Sequence, residues 1–357
     1  MDLTQHCEIV ERTDDMGYGD EQRARWHELR SKGIGGSDVA AIMETSKYKS
    51  RFSCWAEKTG KARDERSGKA ADWGHRLERT IAEAYAETTG AAVFAWPVLL
   101  RSKKFAFMLG NLDFLICDDT LGTGVVTDWP HDYPPPNVIA ILECKTGAIT
   151  SRGTPWEWED GGVPYNYSLQ GLHYCAVTGL DHVVFAALIG GVDIDRDPSG
   201  LVVRHRVYDE SDIEELEEKE YFFWEFVETD MPPEPDGSPA TFAALKAMYP
   251  NSVEGKSIEL TADELQIYYD WHEAKELSDL TDAAAKKLYA KLANIIGEAE
   301  ALKWKGKIIV TYKKTKDGVK VDTAALLAAH PELEQEFEVQ KPGHRMMLDK
   351  AKKELVE

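Results

Sequence analysis

Cysteine is sparse and scattered in this chain. Five occur in 357 residues, at positions 7, 54, 117, 144 and 175, with no C-x-x-C pair. That odd, dispersed set argues against structural zinc and against a cysteine-ligated iron–sulfur cluster, and it predicts reduced thiols. Long apolar runs are also missing: no stretch approaches the ~20 residues a membrane helix needs. The opening Met1-Asp2-Leu3-Thr4-Gln5-His6-Cys7 has neither a basic nor an apolar leader region. A soluble, cytoplasmic protein with no membrane partner is expected. Basic charge is short as well, with 42 Lys and Arg against 63 Asp and Glu and a net charge of -21. Phosphate-binding proteins ordinarily present a basic surface. A nucleic-acid function therefore requires the acid excess to be local. Part of it is, in the block from Asp209 to Asp236, and bound divalent cations would reverse the field where a phosphate must sit.

What is present reads as α/β. From Glu21 to about Asp230, helical stretches are expected at 21–31, 37–44, 51–59, 68–89, 164–178 and 211–228. They alternate with strands around 92–100, 106–117, 137–145, 182–190 and 200–207. Residues 1–20 read as a loose lead-in. Met231-Pro232-Pro233-Glu234-Pro235 opens a linker over 231–240, because proline density of that kind ends helices and central strands. Beyond it, 241–357 reads as a separate helical and β-hairpin region. Thr261-Ala262-Asp263-Glu264 has capping-box form, and Ser278 to Asp282 predicts a break between two antiparallel helices. A hairpin is expected from Lys307–Tyr312 through a Lys316-Asp317-Gly318 turn to Val319–Val321, with Asp322 capping a last helix, Thr323 to Ala329.

The chemistry concentrates in Val138-Ile139-Ala140-Ile141-Leu142-Glu143-Cys144-Lys145. The apolar run reads as a buried strand, and Glu143 and Lys145, two apart, share one of its faces. Upstream, Met108 to Ile116 reads as a strand carrying the single acid Asp113, costly to bury unless paired or metal-bound. Together they read as a divalent-metal phosphodiesterase site or as a strand-end ion pair. Glu-x-Lys alone decides nothing, since it recurs at Glu217-Lys219 and Glu273-Lys275 in charged helical segments. Gly33-Ile34-Gly35-Gly36-Ser37-Asp38 is a glycine-rich turn into a helix. Its amides, the Ser37 hydroxyl (placed to cap) and Arg30 either hold a phosphate or mark a tight entry to a packed helix. Glu78, in Trp73-Gly74-His75-Arg76-Leu77-Glu78, is a metal ligand or a solvated charge. Tyr167, Gln170 and Tyr174 share a helix face, with Gln170 either in the site or an incidental amide among core aromatics.

In this order, Arg30, Gly35-Gly36-Ser37-Asp38, Gly74-His75-Arg76-Leu77-Glu78, Gly110-Asn111-Leu112-Asp113, Leu142-Glu143-Cys144-Lys145 and Tyr167-x-x-Gln170 resemble the YqaJ family of viral recombinases. That family is lambda-exonuclease-like and belongs to the PD-(D/E)XK nucleases. The likeness covers roughly residues 20–230. It implies a restriction-endonuclease-like core, a central mixed sheet flanked by helices, to which 241–357 adds a helical-hairpin plus β-hairpin appendage. It also implies Mg²⁺-dependent 5′→3′ digestion of linear duplex DNA, a homo-oligomer (often a ring trimer) and a single-strand annealing partner in phage or prophage recombination. By position, Asp113, Glu143, Glu78 and the Cys144 backbone carbonyl would hold metal. Lys145 would orient or deprotonate the attacking water, with Gln170 assisting. Arg30, Ser37, Gly35, Gly36 and Tyr167 would engage the 5′-phosphate and DNA. Leu172 stands where many relatives carry a second glutamine.

Phosphodiester hydrolysis brings a negative nucleophile to a negative centre, so positive charge is needed at the attacking and the leaving oxygen. Two divalent ions supply it, and oxygen ligands favour Mg²⁺ or Mn²⁺ over Zn²⁺. Two other readings remain: a structure-specific or restriction-type endonuclease, and a catalytically silent DNA-binding adaptor. The Asp113, Glu143 and Lys145 set argues against the second. The lysine- and aromatic-rich segments 303–307 and 312–316 read as a DNA-contacting flap, a partner-docking surface or a solvated hairpin.

Overall fold

The computed structural model describes residues 1–13, 20–62, 69–118, 124–147, 156–190, 200–251, 259, 261–296, 300–304, 307–311, 326, 327 and 329–331. Two compact units divide the chain, Met1–Pro250 and Asn251–Glu357.

In the first unit the branched, apolar runs pair into a six-stranded mixed sheet. Its strands are β3 (Ala92–Ala95), β6 (Phe114–Cys117), β7 (Val125–Asp128), β8 (Val138–Gly147), β9 (His182–Ile189) and β10 (Val202–Val207), in the order β10-β9-β8-β6-β3-β7. The β8–β9 and β3–β7 pairs are parallel and the rest antiparallel. A parallel pair needs a long crossover, and helix α5 (Tyr165–Thr178) lies within the one joining β8 to β9. α5 stops at Gly179, whose φ of +75° is a left-handed turn that suits glycine; a Cβ there would also fall 2.3 Å from the His6 ring. Two core clusters lie on opposite faces of the sheet. One includes Ile141, Phe185, Leu169 and Tyr174 with α5, and the other Ala140, Leu142, Cys144, Ile81 and Tyr85 with helix α4 (Lys69–Thr89).

A smaller sheet orders β1 (Cys7–Arg12), β4 (Val98–Ser102), β5 (Met108–Asn111) and β2 (Ile34–Gly35). Helices α1 (Asp20–Ser31), α2 (Gly36–Ile42), α3 (Arg51–Lys58) and α6 (Glu210–Glu228) complete the core region. Each of the two long strands expected at 92–100 and 106–117 is in fact two strands in different sheets. Pro97 lies between β3 and β4, and Leu112-Asp113 lies between β5 and β6. Asp113 is therefore at a joint between sheets rather than in mid-strand.

The start of the chain is more ordered than a loose lead-in. Leu3–Gln5 forms a 3₁₀ turn, β1 pairs with β4, and the Met1 amino group donates to the Val138 carbonyl at 2.7 Å. Helix α7 (Pro239–Met248), capped by the Ser238 hydroxyl, also belongs to the first unit. Its Thr241 hydroxyl is 1% exposed and sits 2.7 Å from Ser50 Oγ at the start of α3. The proline-rich stretch thus leads back into the first unit, because a polar cap pair and Ala240 and Ala244 give α7 something to bury.

In the second unit the predicted break is absent: α8 runs unbroken from Ala262 to Ile296. The capping box forms as expected, with Thr261 N donating to Glu264 Oε2 at 2.8 Å. The polar residues that suggested a turn are absorbed by the helix. Thr281 donates to the Leu277 carbonyl at 2.9 Å and Lys275 pairs with Asp279 at 2.7 Å. Strand β12 (Lys307–Thr311) pairs with the preceding β11 (Ala301–Trp304), one strand earlier than predicted. The Lys316–Gly318 turn, residues 312–316 and most of the predicted last helix lie outside the described residues.

Candidate active site

Strand β8 sets the site through its two faces. Ala140, Leu142 and Cys144 pack on the α4 side, so Glu143 and Lys145, like Ile141, face α5. In the β6–β8 pair Phe114 stands opposite Leu142 and Leu115 opposite Ile141. Asp113 immediately precedes this ladder, beside the Glu143-Cys144 end of β8, and feels the Glu143 charge.

Glu143 is 1% exposed. Its Oε1 accepts from Lys145 Nζ at 2.5 Å and from Gln170 Nε2 at 2.7 Å, while Gln170 Oε1 accepts from the same Lys145 at 3.0 Å. The triangle is braced from α5, where Gln170 Nε2 also donates to the Tyr174 hydroxyl at 3.0 Å. Tyr167, on the same helix face, puts its ring centroid 4.8 Å from the Lys145 ammonium. The other oxygen, Glu143 Oε2, is buried without a hydrogen-bond partner. An unpartnered buried polar atom costs about 1–3 kcal/mol, more when charged. Such an oxygen, on a carboxylate whose charge also bears on Asp113, fits an oxygen-seeking divalent cation.

Asp113 reaches the backbone of β8: its Oδ2 accepts from the Cys144 N–H at 2.8 Å. Burial, and then the charges of Glu143 and Glu78, push its carboxyl well above the usual range, against Lys145 and the Cys144 amide. Burial also pushes Glu143 up, against the pull of Lys145. Burial opposes the Lys145 ammonium in turn, but Glu143 and Asp113 outweigh it and hold the lysine protonated. A lysine held in that state suits orientation and charge neutralisation better than base catalysis.

Glu78 stands apart from this group. It arrives on α4, the helix of the opposite face, and bonds to His75 Nδ1 at 2.9 Å with its side chain 29% exposed. Its charge reaches Asp113 and Glu143. Among the described residues, however, no three His, Cys, Asp or Glu side chains gather into a ready-made metal cage.

The glycine-rich turn also differs from expectation. Gly35, not Ser37, is the residue at the start of α2, and its N–H donates to Asp38 Oδ2 at 3.1 Å. Ser37 instead accepts from Arg30 Nη2 at 2.5 Å, and Arg30 lies 5.8 Å from the Trp26 ring centroid. With the Gly35 amide occupied and α2 only seven residues long, anion binding here falls to side chains. A Cβ on Gly36 would fall 2.8 Å from Tyr174 Cε1 and 2.9 Å from Gln170 Cγ. Gly36 thus lets α2 press on the part of α5 that carries the site. Gly36→Ala is expected to cost about 1–3 kcal/mol by overpacking. The groups in the way are Tyr174 and Gln170, which are bonded to each other, and Gln170 also to Glu143, so turnover should fall even where denaturant unfolding shows the variant fully folded.

A cleft of about 1200 Å³ runs past Arg30, Ser37, Lys49, Tyr167 and Gln170. Lys49, Lys58 and Asp38, which the sequence reading did not single out as functional, crowd its Arg30 end. No periodicity links residues 11 and 20 apart on separate elements, so only the sequence position of Asp38 beside Ser37 carried a signal.

Residues 25–181 match the YqaJ-like viral recombinase domain. The YqaJ protein of Bacillus subtilis (strain 168) is 30% identical over 301 residues, covering 83% of this chain and 84% of that protein. The chain belongs to the YqaJ-like viral recombinase family. Solved structures similar to it include an alkaline exonuclease, LHK-Exo, from Laribacter hongkongensis. That match has 17% identity and a TM-score of 0.42, over 58% of this chain and 94% of the other. A phage-related exonuclease from Haemophilus somnus 129PT matches at 12% identity and a TM-score of 0.37, over 57% and 99%. Every residue of the catalytic group and of the Arg30 cluster falls within the family domain.

Proposed function

We propose that this chain is a Mg²⁺-dependent exonuclease that degrades linear duplex DNA 5′→3′ from phosphorylated ends and leaves 3′ single-stranded tails for recombination. One observation carries the reading. Glu143 is fully buried, one oxygen is clamped by Lys145 and Gln170, the other is unpartnered, and the carboxylate's charge is felt by Asp113. A plain strand-end ion pair would satisfy both oxygens or leave the spare one in water. Family membership supports an action on DNA.

In this reading Asp113, Glu143 and the Cys144 carbonyl would hold Mg²⁺, with Mn²⁺ able to substitute, and Glu78, whose charge reaches both carboxylates from α4, would complete a site for two ions. Bound there, such ions would supply positive charge at the attacking and leaving oxygens and would acidify water. The protein's own groups do the rest. Lys145 orients the nucleophile and offsets negative charge that builds at phosphorus. Gln170 fixes Lys145 and Glu143 relative to each other. Arg30 and Ser37 receive the 5′-phosphate, Gly35 leaves that approach free of a side chain, Gly36 seats α2 against Tyr174 and Gln170 behind it, and Tyr167 flanks the DNA. A ring-shaped homotrimer, a single-strand annealing partner and a cytoplasmic phage or prophage setting complete the proposal. No helix among the described residues is long and apolar enough to cross a membrane.

The test is digestion of end-labelled linear duplex beside covalently closed circles, with Mg²⁺ and with chelator. Metal-dependent loss of the linear DNA alone, releasing nucleotides from the 5′ end, is expected. Cutting of circles would replace this reading with the endonuclease, and intact DNA in every lane would leave the silent adaptor.

A further inference from the structure

We propose that Asp38 is the positioning residue of an anion cradle, holding Arg30 and Lys49 where they receive a terminal phosphate and so setting the preference for phosphorylated over hydroxyl ends. This rests on the reading of the chain as a nuclease acting at DNA ends. Asp38 is 0% exposed at the base of the cleft, yet it is a carboxylate among cations. Its Oδ1 lies 2.7 Å from Lys49 Nζ and 3.7 Å from Arg30 Nη2, and its Oδ2 lies 2.6 Å from Lys58 Nζ and 3.1 Å from the Gly35 amide. Burial alone would push this carboxyl up, but Lys49, Lys58 and Arg30 hold it well below the usual range.

The three cations are not equivalent. Lys58 has a 1% exposed side chain and also donates to the Arg30 carbonyl at 2.8 Å, so it is closed off and serves as a lock. Lys49 and Arg30 keep 15% and 29% side-chain exposure and line the cleft beside Ser37 and Gln170. An ammonium has three donors and a guanidinium five. Lys49 also pairs with Glu57 at 2.5 Å. Asp38 and Glu57 take two of the Lys49 donors, and Asp38 and Ser37 both lie at Arg30 Nη2, so each cation keeps donors beyond them. Three cations against two carboxylates leave one positive charge in excess, in a chain whose net charge is -21. Gln170 lines the same cleft and bonds both Glu143 and Lys145. The cradle is therefore one side chain away from the catalytic group, as an end-phosphate site must be.

Without the shared carboxylate, Lys49 and Arg30 repel each other and lose their common anchor, while Lys58 remains as a buried unpaired charge. Asp38→Asn tests this directly. Asp38→Asn with Lys58→Met removes one charge of each sign and keeps the balance should the single variant unfold. Both are compared with the unaltered chain on linear duplex bearing 5′-phosphoryl or 5′-hydroxyl ends, alongside melting curves. The preference ratio, read as kcat/KM on the two ends, is expected to fall about 10- to 100-fold towards unity, chiefly through KM. A folded variant that keeps the full preference overturns the role of Asp38, as does an active unaltered chain with no preference. If no digestion occurs at all, fluorescence anisotropy with the same duplexes separates the two ideas. Tighter binding of phosphoryl ends that Asp38→Asn abolishes supports the cradle while the nuclease reading fails. Equal binding of both ends overturns the cradle.

Discussion

Lys145→Ala is expected to lower turnover on linear duplex by at least about 100- to 1000-fold and to leave DNA affinity within a small factor of the unaltered chain. The lysine makes two charge-assisted bonds inside the catalytic group and none that the structure places on the Arg30 side of the cleft. Its loss leaves Glu143 buried without its counter-charge, a change that costs about 3–5 kcal/mol when a buried pair is broken. The cost is limited by protonation of Glu143, whose carboxyl burial already pushes up. Lys145→Met combined with Glu143→Gln should therefore recover most of the stability and none of the activity. Removing a positive charge from beside two carboxylates should also tighten divalent-ion binding. Calorimetric titration of Mg²⁺ or Mn²⁺ into Lys145→Ala checks this, and a marked loss of ion affinity would assign Lys145 a structural role. Lys145→Arg should not rescue, because a planar guanidinium cannot reproduce one nitrogen shared between Glu143 and Gln170.

The parts of this site legible in the sequence are those that one strand or one helix encodes. The run Val138–Lys145 has only one way to be a buried strand, and its period of two puts Glu143 and Lys145 together. Tyr167, Gln170 and Tyr174 likewise follow from helical spacing. Pairings between elements were not legible. Whether Met108 to Ile116 is one strand or two depends on which sheet each half joins, and that decides that Asp113 caps a neighbouring amide at the joint. Glu78 looks equivalent to the other acids in sequence, but its helix packs on the far face of the sheet. The knot of Asp38, Lys49 and Lys58 is built from α2, the following loop and α3. Each member reads separately as a surface charge. The break predicted at Ser278–Asp282 failed because helical i,i+4 bonds satisfied the residues that signalled it.

Asp113→Asn should separate stability from function in the opposite sense. In the metal-free chain the folded-state carboxyl is raised well above its ordinary value of 3.8 by burial and by Glu143 and Glu78. Between those two values the folded protein binds more protons than the unfolded one, so stability falls as pH rises. The penalty is absent below about pH 4 and fully present above the folded value. Asparagine keeps an oxygen to accept the Cys144 N–H and carries no charge to repel Glu143. In chelator, then, Asp113→Asn is expected to melt higher than the unaltered chain at neutral pH. The gap should close on acidification, at about 1.4 kcal/mol for each pH unit over the titrating range. Added Mg²⁺ or Mn²⁺ should reverse the order, because an ion that binds only the folded form stabilises the chain that retains both carboxylates. Turnover should be lost by about 1000-fold or more, in keeping with the loss of a group that acts as part of a unit. Melting curves at several pH values, with and without divalent ion, read all of this from unlabelled protein. A variant that melts lower in chelator would mean that Asp113 is held charged by partners on the protein itself, which would remove the electrostatic reason for a cation at Glu143 Oε2.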